Sequence, residues 1–141
     1  FVGAKGFSMN FALYASIGFY AVCLFQLALI FGAPWGEYTM GGQTKGKLSV
    51  QGRVMAGVSI LVLILMSQVL LATVGEGLIT DWPSPILEVL KWLTFAYAIL
   101  GFVMNWITRS KKERMVWGPV ATILLVLVSL AIFGPGVPIV D

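Results

Sequence analysis

Residues 105–119, NWITRSKKERMVWGP, lie between two long apolar segments and hold the densest positive charge in the chain. Four of the nine Lys and Arg residues fall inside this stretch, at Arg109, Lys111, Lys112 and Arg114. A basic cluster beside an apolar segment orients a membrane protein, because such clusters remain on the cytoplasmic side. The stretch therefore predicts which end of the folded chain faces the cytoplasm.

The composition is that of an integral membrane protein. Of the 141 residues, 59% are hydrophobic and only 11% are charged, and the mean hydropathy is +0.95. A soluble domain of this size cannot bury so much apolar surface in one core. Cys23 is the single cysteine and histidine is absent, which excludes a disulfide framework, a Cys/His zinc site and histidine-ligated haem. The sequence therefore predicts no cofactor and no metal site.

Four apolar segments, at about residues 9–31, 54–74, 86–107 and 116–133, are each long enough to cross a bilayer. As helices they would measure roughly 27 to 34 Å, against a hydrocarbon core of about 30 Å. They lack the alternation of barrel strands, so helices are expected. No signal-peptide cleavage site follows the first segment, which we also interpret as a span. The prediction is one all-α integral membrane domain over residues 1–141, a four-span transmembrane helical bundle.

The charges of the connections predict the orientation of this bundle. The first and third connections contain basic residues at Lys45, Lys47, Arg53, Arg109, Lys111, Lys112 and Arg114. The second connection, residues 75–85, has Glu76 and Asp81 and neither Lys nor Arg. The positive-inside rule then places the basic connections in the cytoplasm and both termini outside, N-out and C-out. Aromatic residues near the predicted helix ends fit an interfacial belt: Trp35, Tyr38, Trp82, Trp92, Trp106 and Trp117.

Capping signals mark several helix ends. Residues 110–113, Ser-Lys-Lys-Glu, have the form of a capping box and predict a helical turn before the fourth span. Pro119 then either kinks that helix or opens it, and both alternatives stand. Ser84 is the expected N-cap of the third helix, with Pro85 at its first helical position. Gly-Pro-Gly at residues 134–136 is expected to end the fourth helix.

Two helices have small residues on one face. These are Ser8, Ala12 and Ser16 in the first helix, and Thr94, Ala98, Gly101 and Asn105 in the third. Small side chains let helix backbones approach closely inside a membrane, which favours a packing surface. A groove for a lipid or another ligand is the alternative.

Polar side chains inside the spans are predicted to make intramembrane contacts. Gln26 and Gln68 fall in different leaflets because consecutive helices run in opposite directions, and Asn105 lies at the depth of Gln26. Each is expected to hydrogen-bond between helices, although intramembrane polar groups also mark functional sites. Glu88 and Lys91 are three residues apart and are expected to form an ion pair, with a proton or substrate relay as the alternative.

The first connection begins with residues 32–42, GAPWGEYTMGG, and is predicted to face the stretch 105–119 from the same side of the membrane. Glu37 can then meet Arg109 or Arg114, and Glu113 can pair with Arg109. We expect these loops to form a cytoplasmic docking surface from Trp35, Glu37, Tyr38, Asn105, Arg109, Ser110, Glu113, Arg114 and Trp117. A catalytic pair of Glu37 and Glu113 is the weaker alternative, since no nucleophile or histidine accompanies them.

Two sequence motifs carry a resemblance. Gly-Ala-Pro-Trp-Gly at residues 32–36 and Asn-x-x-Thr-x-Ser-x-x-Glu-Arg-x-x-Trp-x-Pro at residues 105–119 resemble those of a group of small uncharacterised bacterial four-helix membrane proteins. The likeness covers most of the chain. It implies a multi-pass location in a bacterial inner membrane and a shared motif on the cytoplasmic face, and it implies no activity.

For function, we expect a non-catalytic accessory or assembly subunit of a larger membrane complex. The alternatives are a binder or carrier of a lipid or other hydrophobic small molecule, and a small membrane enzyme. An internal cavity bounded by Gln26, Asn105 or Gln68 would favour the binder. Expected partners are the bilayer with its anionic headgroups and other membrane subunits or a second copy of the chain. Nucleic acid is excluded because the basic patch is short and fixed at the membrane.

Overall fold

The protein is a bundle of four helices. The computed structural model describes residues 2–134, with side chains from residue 10 onward. α1 spans Val2–Ile30, α2 spans Val50–Ala72, α3 spans Ser84–Ile107 and α4 spans Lys111–Phe133. Two single-turn 3-10 helices, Gly36–Tyr38 and Met40–Gly42, lie in the connection between α1 and α2. Residues 2–134 contain no strand, and the predicted all-α fold is confirmed.

All four helices are long and apolar enough to cross a membrane. The qualifying segment of α1 is Asn10–Ile30, with a mean hydropathy of 1.9, and α2, α3 and α4 qualify over their full lengths with values of 2.5, 1.7 and 2.4. Large apolar side chains also cover the outside of the bundle; Leu24 and Leu61, for example, are 69% and 70% exposed. Such a surface suits contact with lipid chains and is costly in water. The four-span bundle predicted from the sequence therefore has the composition and length that it needs.

Helix α1 makes most of the contacts that hold the bundle together. It packs against α2 and α4, whereas α3 packs mainly against α4 and only sparsely against α2. The buried core draws on all four helices and consists of Ala12, Ala15, Phe19, Leu63, Met66, Leu70, Ala98, Val128, Ala131 and Ile132. The seam between α2 and α3 is consequently the most open one between neighbouring helices.

The small-residue face of α1 is a packing surface. Ala12 and Ser16 are buried, and the Ser16 hydroxyl lies 3.3 Å from the carbonyl oxygen of Ser67 in α2. On the other side of α1, a Cβ atom added to Gly18 would lie 2.5 Å from Cδ2 of Leu124 in α4. Ser8 lies outside the residues whose side chains are described. Small residues thus bring α1 close to both neighbours, and the contact with α2 is the one that the pattern of Ala12 and Ser16 predicts.

The fourth helix begins where its capping signal predicts. Ser110 is the N-cap of α4, and its Oγ accepts a hydrogen bond of 3.2 Å from the backbone nitrogen of Glu113. Pro119 lies inside α4 and does not open it. The prediction for α3 was wrong by one residue, because Pro83 is the N-cap and Ser84 is already helical. Gly134 ends α4, and Pro135 and Gly136 lie outside the described residues.

The connection between α2 and α3 is fastened by Gln68. Its Oε1 accepts a hydrogen bond of 2.8 Å from the backbone nitrogen of Leu78, and its Nε2 donates to the Tyr20 hydroxyl at 3.0 Å. A Cβ on Gly77, where φ is +91°, would lie 2.7 Å from the Gln68 Oε1 atom. Gln68 therefore joins α1, α2 and the loop at this end of the bundle, and the predicted interhelical contact is confirmed.

Candidate functional site

Seven basic residues gather at the opposite end of the bundle, where the α1–α2 and α3–α4 connections meet. We call this region the basic end and define it as residues 31–49 and 108–110 with the first turns of α2 and α4. Within the α1–α2 connection, the backbone nitrogen of Gly36 donates to the carbonyl oxygen of Gly46 at 2.8 Å. A Cβ on Gly36 would collide with the carbonyl oxygens of Thr44 and Gly46. The connection is thus folded tightly back on itself.

Ser110 joins the two connections. Its hydroxyl donates a hydrogen bond of 2.6 Å to the carbonyl oxygen of Glu37 while it accepts the bond that caps α4. Gly42 lies against it with a φ of +71°, and a Cβ there would be 2.7 Å from the Ser110 Cβ. Both the left-handed backbone and the close approach therefore require glycine at this position.

Glu113 forms the second bridge between the connections. Its Oε2 accepts hydrogen bonds from the backbone nitrogen of Gly41 at 2.9 Å and from the Thr108 hydroxyl at 2.8 Å. In a complete capping box this carboxylate would accept a bond from the N-cap nitrogen, but the nitrogen of Ser110 instead donates to Thr108 Oγ1 at 3.3 Å. The capping box is therefore half formed, and its glutamate binds the other connection.

The ion pair between the connections differs from the one that we expected. Glu37 pairs with Lys112 at 2.6 Å, and no Arg109 or Arg114 ion pair occurs among residues 10–134. The Lys112 ammonium also lies 5.8 Å from the centre of the Tyr38 ring. The hydrogen bond from Lys112, together with its positive charge, lowers the pKa of the Glu37 carboxyl below its usual value. The predicted arginine clamp is thus replaced by one lysine and by hydrogen bonds from uncharged donors.

An aromatic cluster lies beneath these contacts. The Phe25 ring stacks on Trp35 with a centroid separation of 5.9 Å and meets the edge of Trp117 at 4.7 Å. Two of the aromatic residues predicted for the docking surface are therefore brought together. Phe25 contacts both rings. Its neighbours in the sequence are mostly apolar, so no pattern indicated this role.

A cavity of about 220 Å³ opens below the loops and reaches into the middle of the bundle. Its polar lining residues are Gln26, Tyr38, Thr39, Tyr97, Asn105 and Glu113, and its apolar lining includes Phe19, Leu63, Ala98, Trp117 and Leu124. On α3, Gly101 also lines it, and a Cβ added there would meet no atom within 4 Å. The small-residue face of α3 therefore has two parts. Thr94 and Ala98 are buried, whereas Gly101 borders open space.

Gln26 lines this cavity and contains an unsatisfied polar atom. Its Oε1 is buried and has no hydrogen-bond partner within the described part of the protein. Asn105 lines the same cavity, as the predicted depths of the two residues require, but its Nδ2 donates to the Gly101 carbonyl oxygen at 2.7 Å. A buried polar atom without a partner is uncommon and costs about 1–3 kcal/mol. The cavity therefore contains a group that a bound molecule can satisfy.

Apart from the Tyr97 hydroxyl, the polar groups are concentrated at one end of the cavity. Gln26 lies one turn before the end of α1 at Ile30, Asn105 lies two residues before the end of α3, and Glu113 is in the first turn of α4. The apolar lining continues along α4 as far as Leu124. By helical rise the cavity is roughly 10–16 Å deep, so it is narrow for its volume.

A second groove follows the open seam between α2 and α3. It has a volume of about 280 Å³ and an almost wholly apolar lining, with Val62, Leu65 and Leu93 among its residues. Tyr97 borders both this groove and the cavity. The groove and the cavity are therefore separated at this ring.

The remaining intramembrane residues lie away from the cavity. Lys91 Nζ pairs with Glu88 Oε2 at 2.8 Å, which confirms the predicted ion pair, and Trp92 Nε1 donates to Glu88 Oε1 at 2.9 Å. Gln68 is also outside the cavity lining. Of the three residues proposed to bound a cavity, Gln26 and Asn105 do so and Gln68 does not.

The two candidate catalytic carboxylates are held in separate contacts. Glu113 lines the cavity but is engaged with Gly41 and Thr108, and Glu37 is outside the lining and paired with Lys112. The two carboxylates therefore do not form an acid and base pair in one pocket. Comparisons with protein-family models, with curated proteins and with solved structures found no match to this chain.

Proposed function

We propose that the protein binds or carries a hydrophobic small molecule, such as a single-chain amphiphile from the bilayer, in the cavity at its basic end. The observation that carries this proposal is the buried and unpartnered Gln26 Oε1 at a cavity otherwise lined mainly by apolar side chains. Ligand sites typically combine an apolar lining with a few fixed polar groups. An engineered apolar cavity of about 150 Å³ already holds a benzene molecule, so this volume is sufficient for a small ligand.

The shape of the cavity supports a chain-like ligand. Its polar residues other than Tyr97 lie at the basic end, and the deeper lining is mainly apolar. A bound amphiphile then places its head beside Gln26 and Asn105 and its tail toward Leu124. This is the orientation that a lipid of the same leaflet already has, so entry does not require the molecule to turn over.

The location that we propose is a bacterial inner membrane, with the basic end in the cytoplasm and both termini outside. Support comes from the positive charge of the α1–α2 and α3–α4 connections and from Glu76 and Asp81 in the α2–α3 connection. The resemblance to small bacterial four-helix membrane proteins supports the same assignment. Reporter fusions to the two kinds of connection test it, and activity of a cytoplasmic reporter at residues 75–83 would contradict it.

Filling the cavity tests the binding function. The variant Gly101→Leu places a side chain in open space, and Gly57→Leu makes the same change on α2 outside the cavity lining. Mass spectrometry of each protein isolated in mild detergent measures the amphiphiles that co-purify. We expect the wild type and Gly57→Leu to retain a bound molecule and Gly101→Leu to lose at least about nine-tenths of it. Equal retention by all three proteins would refute the proposal.

A docking role for the basic end is a second candidate. The specific observation in its favour is that Arg109 and Lys111 are exposed, without an ion pair among the described residues, on a turn fixed by Ser110 and Glu113. Fixed, unpaired cations can bind an acidic segment of another membrane subunit. Charge reversal by Arg114→Glu and by Arg109→Glu is expected to remove such a subunit from the protein isolated in mild detergent. An unchanged set of co-purifying proteins would leave these residues with a role in topology alone.

A further inference from the structure

We infer that the ligand of the cavity carries a neutral hydrogen-bond donor, a hydroxyl group, and donates it to Gln26 Oε1. This inference rests on the proposed binding function and concerns the head of the ligand. Gln26 Oε1 is an acceptor with no partner of its own, at the polar end of the cavity. A ligand that only accepts hydrogen bonds would leave this atom unsatisfied, whereas a hydroxyl would pair with it.

The other polar residues around the cavity offer acceptors at Asn105 and Glu113, and hydroxyls that can donate or accept at Tyr38, Thr39 and Tyr97. The amide nitrogen of Asn105 donates one of its two hydrogen atoms to the Gly101 carbonyl oxygen, and the amide oxygen of that side chain is a further acceptor. Glu113 in its ionised form accepts only, and both hydrogen bonds that it accepts fall on Oε2. Three side chains at the cavity therefore offer oxygen acceptors, and a ligand hydroxyl, which both donates and accepts, can pair with them and with the hydroxyls of the lining.

The charges at the basic end, where the cavity opens, favour a neutral donor over a charged one. Arg109, Lys111 and Arg114 surround the basic end without an ion pair among residues 10–134, so they disfavour an ammonium group nearby. A carboxylate ligand would face the acceptor oxygens of Gln26 and Glu113, which disfavour negative charge in turn. A neutral hydroxyl avoids both penalties.

Competition between ligands that differ only in the head group tests this inference. The full chain in nanodiscs is incubated with radiolabelled decanol, and binding to empty nanodiscs is subtracted. Unlabelled decanol, decyl methyl ether, decylamine and decanoate serve as competitors. We expect decanol to compete at least about ten-fold better than the ether, which has the same chain but no donor. The amine and the carboxylate are expected to compete less well than decanol.

Variants of Gln26 locate the effect. Gln26→Leu is expected to weaken decanol binding about ten-fold and to abolish the preference over the ether. Gln26→Glu keeps the acceptor oxygens and is expected to retain the preference, which guards against a folding defect in the leucine variant. Gln68→Leu makes the same change at a glutamine outside the cavity and is expected to leave both affinities unchanged.

The outcomes separate the two proposals. Equal competition by decanol and the ether, or stronger competition by the amine or the carboxylate, would refute the neutral donor while saturable binding still supported a ligand-binding protein. Loss of the preference in Gln68→Leu as well as in Gln26→Leu would refute the assignment to Gln26. Decanol binding that Gly101→Leu does not reduce would refute the binding function itself.

Discussion

Replacing Glu113 with alanine should loosen the basic end. The change removes the acceptor of the Gly41 nitrogen and the Thr108 hydroxyl, at 2.9 and 2.8 Å. The Ser110 cap is expected to survive, because it depends on the Glu113 backbone nitrogen and not on the side chain. The substitution therefore isolates the contact between the two connections from the formation of α4.

The size of the effect follows from the two lost hydrogen bonds. Bonds to a charged group contribute about 1.5–3 kcal/mol each when buried. Here the Gly41 bond is solvent-exposed, so water can replace the carboxylate and the loss is smaller. We expect the free energy of unfolding to fall by about 1–3 kcal/mol in total. Glu113→Gln keeps a neutral acceptor and should lose about half as much.

Two measurements check this prediction. Unfolding in mixed micelles gives the stability, with Glu76→Ala as the control, because Glu76 is exposed and its carboxylate has no partner among the described residues. Hydrogen exchange of the Gly41 amide should accelerate about ten-fold or more in Glu113→Ala. The Gly36 amide, which is bonded to Gly46 within its own connection, should change less. If Glu113→Ala were no less stable than Glu76→Ala and the Gly41 amide exchanged at the wild-type rate, the proposed bridge would be refuted.

Two further predictions concern the same surface. Gly42→Ala should lower the free energy of unfolding by about 1–3 kcal/mol, because φ is +71° and the new Cβ would lie 2.7 Å from the Ser110 Cβ. Gly41→Ala, where φ is +73° and no atom lies nearby, should lower it less in the same assay. Equal losses would mean that the close approach to Ser110 has no energetic effect. For Glu37, the pKa is lowered by Lys112, so its stabilising contribution is complete above its usual pKa and is lost as the pH falls through the lowered value. The stability difference between the wild type and Glu37→Gln should therefore shrink in acid, and a difference independent of pH would contradict the pairing.

The helices were predictable because membrane spans are encoded locally. Each span is a continuous apolar segment, and the cap at Ser110 is set by residues three positions apart. The shared depth of Gln26 and Asn105 followed from helix direction alone. These inferences need only the rise of a helix and the alternation of its direction.

The partners at the basic end could not be predicted in the same way. Glu37 had several cations within reach of its loop, and the choice of Lys112 depends on the rotation of the first turn of α4 about its axis. The backbone nitrogen of Gly41 became available to Glu113 through left-handed conformations at Met40 and Gly41, with φ of 51° and 73°. The sequence shows which residues are charged, but it does not show the direction in which a backbone N–H of a loop points.

The cavity was also hidden from the sequence. Gly101 continues the small-residue pattern of Thr94 and Ala98, which are buried, yet no atom comes within 4 Å of the position of its absent Cβ. Whether a small residue admits a neighbouring helix or leaves a void depends on how the helices diverge toward the basic end. That divergence is a property of the assembled bundle.

The two bridges at the basic end also bear on how the halves of the chain align. Ser110 and Glu37, and likewise Glu113 and Gly41, are separated by 73 and 72 residues and belong to the α3–α4 and α1–α2 hairpins respectively. Small side chains packed in lipid permit helices to slide past one another, and one helical turn moves a contact by about 5.4 Å. A hydrogen bond is lost after a displacement of about 1 Å. The two bridges therefore fix the axial alignment of the two hairpins, and they do so from outside the apolar interior.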